Sequence, residues 1–443
     1  YTKQGRLYMK IPDIGKTFFH NNNENSVPIA QNEGSEKFFD AKFNDMEGLE
    51  LEKSDTTPPQ DKVTVSTTEN SLSITKTKYI GEEPVESTET RKNGTIKSTT
   101  KQLENGDFEV VVYRENGSVY SKSIYKDFYQ VFLMDEVRYD EDGNIANKIY
   151  RNEEGQMVNE GYKDGKIYLK DQTDGMSVTQ LEERTVYNKD GSIYIHTKYA
   201  SDGSITESQK NKRTDDPDYD KFYKENLDGD FDDGFVQGMS GSCYFVSTIQ
   251  SLLNTEKGRE VLKNSIDYDK EKGLVTIKFL GAEKEYTFSE QEIQEATGRL
   301  SSGDPDFAAL SLGYEKYRAE AQGKVIDGGF PTEVMKALTG DEGTSNIIFG
   351  VAMPIDKKML DTMAKNLLTG NHAMVVNTVE SSVDTEFSKE DKALGLENSH
   401  AYSLKDIDDD FVYVTNPSTQ KTIKLSREKF LESFITFADL ELK

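Results

Sequence analysis

The stretch Gln237-Gly-Met-Ser-Gly-Ser-Cys-Tyr-Phe-Val-Ser-Thr-Ile-Gln-Ser-Leu252 contains the only cysteine in a chain of 443 residues. The apolar residues after Cys243 recur with the spacing of a helix that packs one face on a core, at Phe245, Val246, Ile249, Leu252 and Leu253. Because two glycines precede this helix, we expect Cys243 in its first turn. There the free backbone N–H groups and the helix dipole favour a thiolate, the nucleophilic form of cysteine. The alternative is a small buried thiol that only fills space at the start of a helix.

A cysteine nucleophile also needs a base and a group that orients the base. The chain has four histidines, of which His372 and His400 begin strand-like runs. A later strand-like run ends on Asn416, and Pro417 holds that residue in an extended conformation. An Asn amide in this position can fix the imidazole tautomer and leave the other ring nitrogen for the thiol. We therefore predict a triad of Cys243, His400 and Asn416, and favour His400 over His372 as the base.

Attack of a thiolate on an amide creates an oxyanion that needs hydrogen-bond donors. Gln237 lies six residues before Cys243 and carries a side-chain amide. We predict that Gln237 and the backbone N–H of Cys243 form the oxyanion hole.

The region from 61 to 208 repeats a short pattern of turns and strands. Many of its turn glycines lie 10 to 12 positions apart, and most follow Asn or Asp, at Gly94, Gly106, Gly117, Gly143, Gly155, Gly165, Gly191 and Gly203. Asn-Gly and Asp-Gly tolerate the positive φ of tight hairpin turns, and the flanking residues alternate between apolar and polar. We predict an antiparallel β-hairpin repeat domain. It resembles the Tyr/Asp-Gly hairpin repeats of bacterial surface and toxin proteins, which favours a secreted or cell-surface location.

The last part of the chain has a different pattern, in which helices come first and most strands later. Helical periodicity occurs in 243–254, 288–298, 305–320, 331–338 and 357–367, and strand-like runs occur in 273–280, 372–378, 400–407, 411–415 and 422–426. This order is typical of an α+β domain rather than an alternating parallel sheet. We predict a polar, partly irregular segment over 1–60, the hairpin repeat domain over 61–208, a linker over 209–230 and the α+β domain over 231–443.

Composition excludes several classes of protein. The net charge of −26 argues against a nucleic-acid partner, which requires a basic surface. No apolar run is long enough to span a membrane as a helix. The acidic stretch Asp228-Gly-Asp-Phe-Asp-Asp-Gly234 resembles the start of an EF-hand loop, but its glycine is one place late and Met239 stands where a bidentate Glu is needed. We interpret this stretch as a solvated acidic loop.

The signature residues resemble those of the calpain family of cysteine peptidases. The matching blocks are Asp232-Asp-Gly-Phe-Val-Gln237, Gln237-Gly-Met-Ser-Gly-Ser-Cys-Tyr-Phe245, His400-Ala-Tyr-Ser-Leu404 and Asn416-Pro417. The resemblance covers residues from about 220 to 443 and implies a papain-like fold of two lobes with substrate in the cleft between them. It also implies Cys243 as nucleophile, His400 as general base and acid, Asn416 as the group that orients His400, and Gln237 as oxyanion-hole donor. No cofactor is required for this chemistry, but many calpains use Ca²⁺ as a structural activator.

Three positions depart from the family pattern. Tyr244 replaces the usual Trp after the cysteine, Ser399 replaces the usual Gly before the histidine, and Ser418 replaces the usual Trp after Asn-Pro. The second Trp normally shields the His–Asn hydrogen bond from water, so its absence bears on catalytic efficiency.

The sequence thus favours a cysteine endopeptidase that hydrolyses protein or peptide substrates through an acyl-enzyme intermediate. The charged region 206–230 is a candidate site of self-processing. The alternatives are a binding or adhesive repeat protein with an inactive peptidase-like scaffold, and an acyl transferase with the same Cys–His plan. The sequence leaves the oligomeric state open.

Overall fold

A computed structural model describes residues 62–175, 180–216, 219, 221–231, 234–348, 351–378 and 389–443. The predicted N-terminal segment 1–60 lies outside the described residues, as do His20, Asp232 and Asp233. None of the helices within the described ranges is long and apolar enough to cross a membrane.

The repeat region forms one antiparallel sheet, and the predicted series of hairpins is present. Across the described ranges the sheet has thirteen strands, each paired with its neighbours in chain order. Its last strand ends at Lys210, close to the predicted end at 208. The strands are β1 Val63–Glu69, β2 Ser73–Ile80, β3 Glu83–Arg91, β4 Ile96–Gln102, β5 Phe108–Tyr113, β6 Val119–Tyr125, β7 Leu133–Tyr139, β8 Ile145–Arg151, β9 Met157–Lys163, β10 Lys166–Thr173, β11 Leu181–Tyr187, β12 Ile193–Tyr199 and β13 Ile205–Lys210.

Most of the hairpin turns place only the glycine at positive φ, not the Asn or Asp before it. In the turn after β5, Gly117 has a φ of +83°, and its N–H donates to the carbonyl of Arg114 over 2.9 Å. Asn116 instead accepts the N–H of Ser118 on its side-chain oxygen at 2.9 Å. The turn between β9 and β10 is the exception among the turns named above, because Asp164 and Gly165 both have positive φ. The glycine therefore supplies the required backbone conformation, while Asn and Asp mainly close the turn with their side chains.

The rest of the chain is α+β, as predicted. The five predicted helices are present, and the sequence did not predict the helices Glu256–Asn264, Lys389–Ala393 and Arg427–Ser433. The helices are α1 Cys243–Leu253, α2 Glu256–Asn264, α3 Glu290–Ala296, α4 Pro305–Gln322, α5 Pro331–Thr339, α6 Lys357–Leu367, α7 Lys389–Ala393 and α8 Arg427–Ser433, with a 3-10 turn at Lys224–Asn226.

The strands of this part form small sheets and one six-stranded sheet with the order β19-β26-β22-β23-β24-β25. The sequence analysis did not predict the long C-terminal strand β26, which pairs with β22. The strands are β14 Phe235–Gln237, β15 Ile266–Asp269, β16 Leu274–Lys278, β17 Glu285–Ser289, β18 Ser301–Gly303, β19 Thr344–Ser345, β20 Ile347–Ile348, β21 Val351–Ala352, β22 His372–Thr378, β23 Ala401–Ile407, β24 Phe411–Thr415, β25 Thr422–Ser426 and β26 Phe434–Glu441.

The six-stranded sheet separates two hydrophobic cores. Along β22, Ala373 and Val375 belong to the core that contains α1, whereas Met374 and Val376 belong to the core on the other face. This alternation follows from the two-residue period of a strand. In the first core Phe245 of α1 stacks on Tyr314 of α4, with 4.6 Å between ring centroids. The helix α1, which begins at Cys243, thus packs between the other helices of this core and the six-stranded sheet, whose strand β23 begins just after His400.

The hairpin sheet contacts the α+β part through its last strands, which gives a test of that packing. A Cβ at Gly203 would lie 2.4 Å from the carbonyl carbon of Lys324, whereas a Cβ at Gly117 would meet nothing within 4 Å. Both glycines have positive φ, so Gly117→Ala should cost about 1 kcal/mol from backbone strain alone. Gly203→Ala should cost clearly more, because the added methyl must push the two parts of the protein apart. Equal losses in the free energy of unfolding for the two variants, measured by chemical denaturation, would contradict this contact.

Candidate active site

Cys243 is the first residue of α1, as the apolar spacing predicted. The carbonyl of Ser242 accepts the N–H groups of Phe245 and Val246, at 2.9 and 3.0 Å, which closes the first turn. The thiol accepts a backbone hydrogen bond from Tyr244 within this turn and another from Ala401 at the start of β23. The helix start therefore supplies donors to the sulfur, and donors of this kind stabilise a thiolate.

His400 lies against Cys243, and a hydrogen bond connects the imidazole and the thiol. Burial by itself raises the pKa of the Cys243 thiol, but the hydrogen bond from His400 and its positive charge outweigh burial and hold that pKa below its usual value. Burial by itself lowers the pKa of His400, but the charge of Cys243 and the shared hydrogen bond raise it above its usual value. The opposite directions favour a thiolate–imidazolium pair.

A buried contact between α1 and β23 brings these two residues together. The hydroxyl of Ser247, one turn after Cys243, donates to the carbonyl of Ala401 over 2.9 Å. The N–H of His400 donates to the hydroxyl of Thr378 at the end of β22, at 3.0 Å. Hydrogen bonds therefore fix both residues of the pair. The bond from Ser247 fixes the helix of Cys243, and the bond to Thr378 fixes the backbone of His400.

Two of the departures from the calpain pattern have a local explanation. Ser399 has a φ of +51°, which lies in the left-handed region. Glycine adopts this backbone conformation without strain, whereas serine adopts it with some strain, which explains why the family pattern has glycine at this position. Tyr244 is 1% exposed, and its hydroxyl donates to the carbonyl of Ile326 at 2.9 Å and accepts from Arg318. Tyr244 is thus a buried core residue whose hydroxyl both donates and accepts a hydrogen bond.

Asn416 lies beside His400 and contributes to the raised pKa of the imidazole. Its amide nitrogen donates to the carbonyl of Gly395 and to the carboxylate of Glu397, both at 3.1 Å. Its side-chain oxygen accepts the N–H of Ser418 at 2.8 Å. Nε2 of His400 is buried and has no hydrogen-bond partner of regular geometry. The structure therefore brings the three predicted triad residues together, but the amide of Asn416 is bound to other groups.

Glu397 is a residue near the site that sequence reasoning missed. Its carboxylate oxygen lies 3.9 Å from Nε2 of His400. It occurs in the short polar segment Glu397-Asn-Ser-His400, where no spacing or motif distinguishes it from a solvated glutamate. Only the folding of this segment against β22 and β24 brings its carboxylate to the imidazole.

Gln237 lies at the end of β14, and its backbone connects to the loop of Asn416. The N–H of Gln237 donates to the carbonyl of Pro417 at 2.9 Å. Its side-chain nitrogen donates to the carbonyl of Ser240 at 2.9 Å, and its side-chain oxygen is buried without a partner. Because an amide nitrogen carries two N–H groups, the bond to Ser240 leaves one donor for an oxyanion.

The hairpin sheet contacts the loop that precedes Cys243. Arg184 of β11 pairs with Asp327, and the same carboxylate accepts the N–H of Gly241 at 2.6 Å. Met239 packs against a small cluster of the hairpin sheet that includes Tyr194. The carbonyl of Arg299 holds this loop from the other side by accepting the N–H groups of Met239 and Ser240.

The two other histidines within the described ranges do not join the site. Nδ1 of His372 lies 2.7 Å from a carboxylate oxygen of Asp439, so the ring of His372 is engaged within the sheet. His196 lies in β12 and contacts Thr185 at 3.1 Å. The preference for His400 over His372 therefore agrees with the geometry.

The acidic stretch that begins at Asp228 packs on a buried carboxylate. The N–H groups of Asp228 and Gly229 donate to one oxygen of Asp306, at 3.1 and 3.0 Å, while the other oxygen is buried without a partner. Burial, together with the charges of Asp228 and Asp230, raises the pKa of Asp306 to about 7. Among the described residues, no group of three or more His, Cys, Asp and Glu side chains could hold a metal ion.

The raised pKa of Asp306 makes stability depend on pH. Between about pH 4 and pH 7 the folded protein keeps a proton on Asp306 that the unfolded chain releases, so the free energy of unfolding should fall as the pH rises through this range. Asp306→Asn keeps the acceptor for both backbone N–H groups and should flatten this dependence by an amount on the order of a few kcal/mol. Thermal and chemical unfolding between pH 4 and 8 measure it, with the exposed Asp267→Asn as control. A profile of Asp306→Asn that parallels the parent protein would contradict the raised pKa.

Searches against models of known protein families and against curated proteins find no match for this chain.

Proposed function

We propose that the protein is a cysteine endopeptidase with a papain-like, two-lobed catalytic arrangement. The observation that carries the proposal is the contact between Cys243, at the start of a buried helix, and His400, which comes from a distant strand. The lowered pKa of the thiol and the raised pKa of the imidazole are the directions that a nucleophilic pair requires. The arrangement of α1 between the helical part and the six-stranded sheet supports the papain-like plan.

In the proposed mechanism the Cys243 thiolate attacks the carbonyl carbon of a peptide bond. The oxyanion accepts hydrogen bonds from the backbone N–H of Cys243 and from the second N–H of the Gln237 amide. His400 then gives its proton to the leaving amine, which leaves an acyl-enzyme on the sulfur. His400 next takes a proton from water, and attack of the resulting hydroxide on the thioester releases the acid and restores the thiolate–imidazolium pair.

The hairpin sheet is proposed to present substrate to the site or to cover it. Its contacts through Arg184 and Met239 reach the loop just before Cys243, which supports a role at the site rather than a distant one. Of the predicted linker, 211–216 is mostly exposed, whereas Leu227 is buried. The exposed part is the proposed position of self-processing.

Calcium as a structural activator remains a prediction. In the part of the chain that the structure describes, no group of three or more His, Cys, Asp and Glu side chains could hold a metal ion, so Asp306, Asp228 and Asp230 do not fit a calcium site. Every chemical step above proceeds without calcium.

The central experiment compares the parent protein with Cys243→Ala and His400→Ala on a denatured protein substrate, with and without calcium. Cys243→Ala should abolish cleavage because the nucleophile is gone, and His400→Ala should reduce the rate by about 10²- to 10⁴-fold because the proton transfers are lost. His372→Gln is the matched control, since His372 contacts Asp439 away from the thiol, and it should keep near-parental activity.

Other outcomes of this experiment assign other functions. Full cleavage by Cys243→Ala would refute the proposal. Cross-linked products in place of hydrolysed ones would assign acyl transfer, an alternative that gains support from the carboxylate of Glu397 beside His400. Absent activity, with Cys243 reacting with a peptide electrophile no faster than free cysteine, would favour a binding protein with an inactive scaffold.

Self-processing gives a separate prediction. The purified parent protein should cut itself within 211–216, because this part is exposed and lies next to the end of β13, and Cys243→Ala should stay intact. Intact mass measurement over time identifies the fragments. An intact parent chain at every calcium concentration would argue against self-processing, while leaving cleavage of other substrates to the preceding experiment.

A further inference from the structure

Nε2 of His400 is an atom of the candidate site whose surroundings the predicted triad does not fully explain. The triad assigns Asn416 to this nitrogen, and a side-chain hydrogen bond from the ring to Asn416 contributes to the raised pKa of His400, but the oxygen of Asn416 also accepts the N–H of Ser418 and its nitrogen donates to Gly395 and Glu397. Nε2 is buried without a hydrogen-bond partner of regular geometry. A buried polar atom in this state calls for a nearby group that stabilises it, most of all when the ring is charged.

The carboxylate of Glu397 is that group. One of its oxygens lies 3.9 Å from Nε2 and accepts the amide N–H of Asn416 at 3.1 Å. The amide therefore holds the carboxylate beside the ring.

The backbone N–H and the backbone carbonyl of Glu397 are both hydrogen-bonded, so the backbone that carries the carboxylate has a defined position. Its N–H donates to the hydroxyl of Tyr402 at 2.8 Å, and its carbonyl accepts the hydroxyl of Thr378 at 2.7 Å. Thr378 also holds the N–H of His400. Thr378 of β22 thus holds the backbone of both His400 and Glu397, and Tyr402 of β23 adds a second bond to Glu397.

We propose that Glu397 is a positioning residue that orients the His400 ring through Nε2 and stabilises its protonated form, with Asn416 holding the carboxylate in place. Its consequence for catalysis rests on the proposed function, but its effect on the Cys243–His400 pair does not. The site would then be a Cys–His pair supported by a Glu–Asn pair, rather than a triad that ends at Asn416.

The charged and titratable groups around the ring are few and come from separate elements. Cys243 faces it from α1, Glu397 from the segment before His400, and Tyr402 from β23, with 5.0 Å between the ring centroids of His400 and Tyr402. Tyr168 of β10 in the hairpin sheet is next to Glu397, since burial, Asp171 and Glu397 together raise the pKa of its phenol. Among these groups, the Cys243 thiolate and Glu397 are the two that supply negative charge to the imidazolium.

The carboxylate also bears on the missing tryptophan of the family pattern. Ser418 stands where that Trp would shield the His–Asn hydrogen bond, and only its backbone N–H bonds to Asn416. A negative charge close to the ring stabilises an imidazolium without requiring the shielded hydrogen bond. The carboxylate of Glu397 thus stabilises the imidazolium by its charge, whereas in the family pattern the shielded Asn amide stabilises it by a hydrogen bond.

The test is the pH dependence of alkylation of Cys243 by iodoacetamide in the full chain, which reports the thiolate and requires no substrate cleavage. In the parent protein, alkylation should begin at a pH below that of free cysteine. Glu397→Gln should move the alkaline step of this profile, at which the imidazolium loses its proton and the thiolate leaves its ion pair, down by about one pH unit, because without the negative charge that proton is about tenfold easier to lose. Glu397→Asp should restore part of the shift, and the exposed Glu428→Gln should leave the profile unchanged.

The outcomes separate this proposal from the proposed function. Superimposed profiles of the parent and Glu397→Gln would overturn the role of Glu397, even if the parent cleaves protein substrates. A shifted profile together with no cleavage would support Glu397 and overturn only the peptidase. Should Glu397→Gln fail to fold, the salt dependence of the parent profile decides. Because Glu397 is half exposed, raising the salt from 0.05 to 1 M should screen its charge and move the alkaline step down, and a salt-independent step would overturn the proposal.

Discussion

The packing of α1 against β22 and β23 is the constraint on which the candidate site depends. One face of this helix fills the core with Phe245 and Ile249, and its N-terminus places Cys243 beside Ala401 at the start of β23. The bond from Ser247 to the carbonyl of Ala401 fixes the helix to the residue that follows His400. Because close-packed cores resist small displacements, a shift of this helix would separate the sulfur from the imidazole.

Buried ionic groups fix the loop around the site from outside that core. Arg299 pairs with Glu315 at 2.5 and 2.8 Å while its carbonyl accepts the N–H groups of Met239 and Ser240. Arg184 of the hairpin sheet binds Asp171 on its own sheet and Asp327 on the other side. Charges buried to this degree tolerate the loss of a partner poorly, since the remaining charge is left desolvated. These contacts couple the loop before Cys243 to the hairpin sheet, and the loss of any one of their charged groups should lower the free energy of unfolding.

Much of the fold could be predicted from local patterns. The turn glycines predicted the antiparallel hairpins, and the apolar spacing after Cys243 predicted a helix that begins at the cysteine. The helix Arg427–Ser433 and the strand Phe434–Glu441 were missed, because they are adjacent and short apolar runs do not distinguish a strand from a helix. The helix Glu256–Asn264 was missed because its polar composition leaves few apolar positions, of which Leu262 is fully buried.

By itself the sequence determined the residue types of the site and their local settings. It indicated a cysteine at a helix start, a histidine and an asparagine at strand ends, and an amide upstream, because each of these depends on neighbours within a few positions. Only the tertiary structure decided which groups meet around the imidazole. Asn416 bonds to Gly395, Glu397 and Ser418, and Glu397 reaches His400, because the segment before His400 folds back between two strands. Such contacts depend on how separate strands pack, and no short-range pattern of residues carries that information.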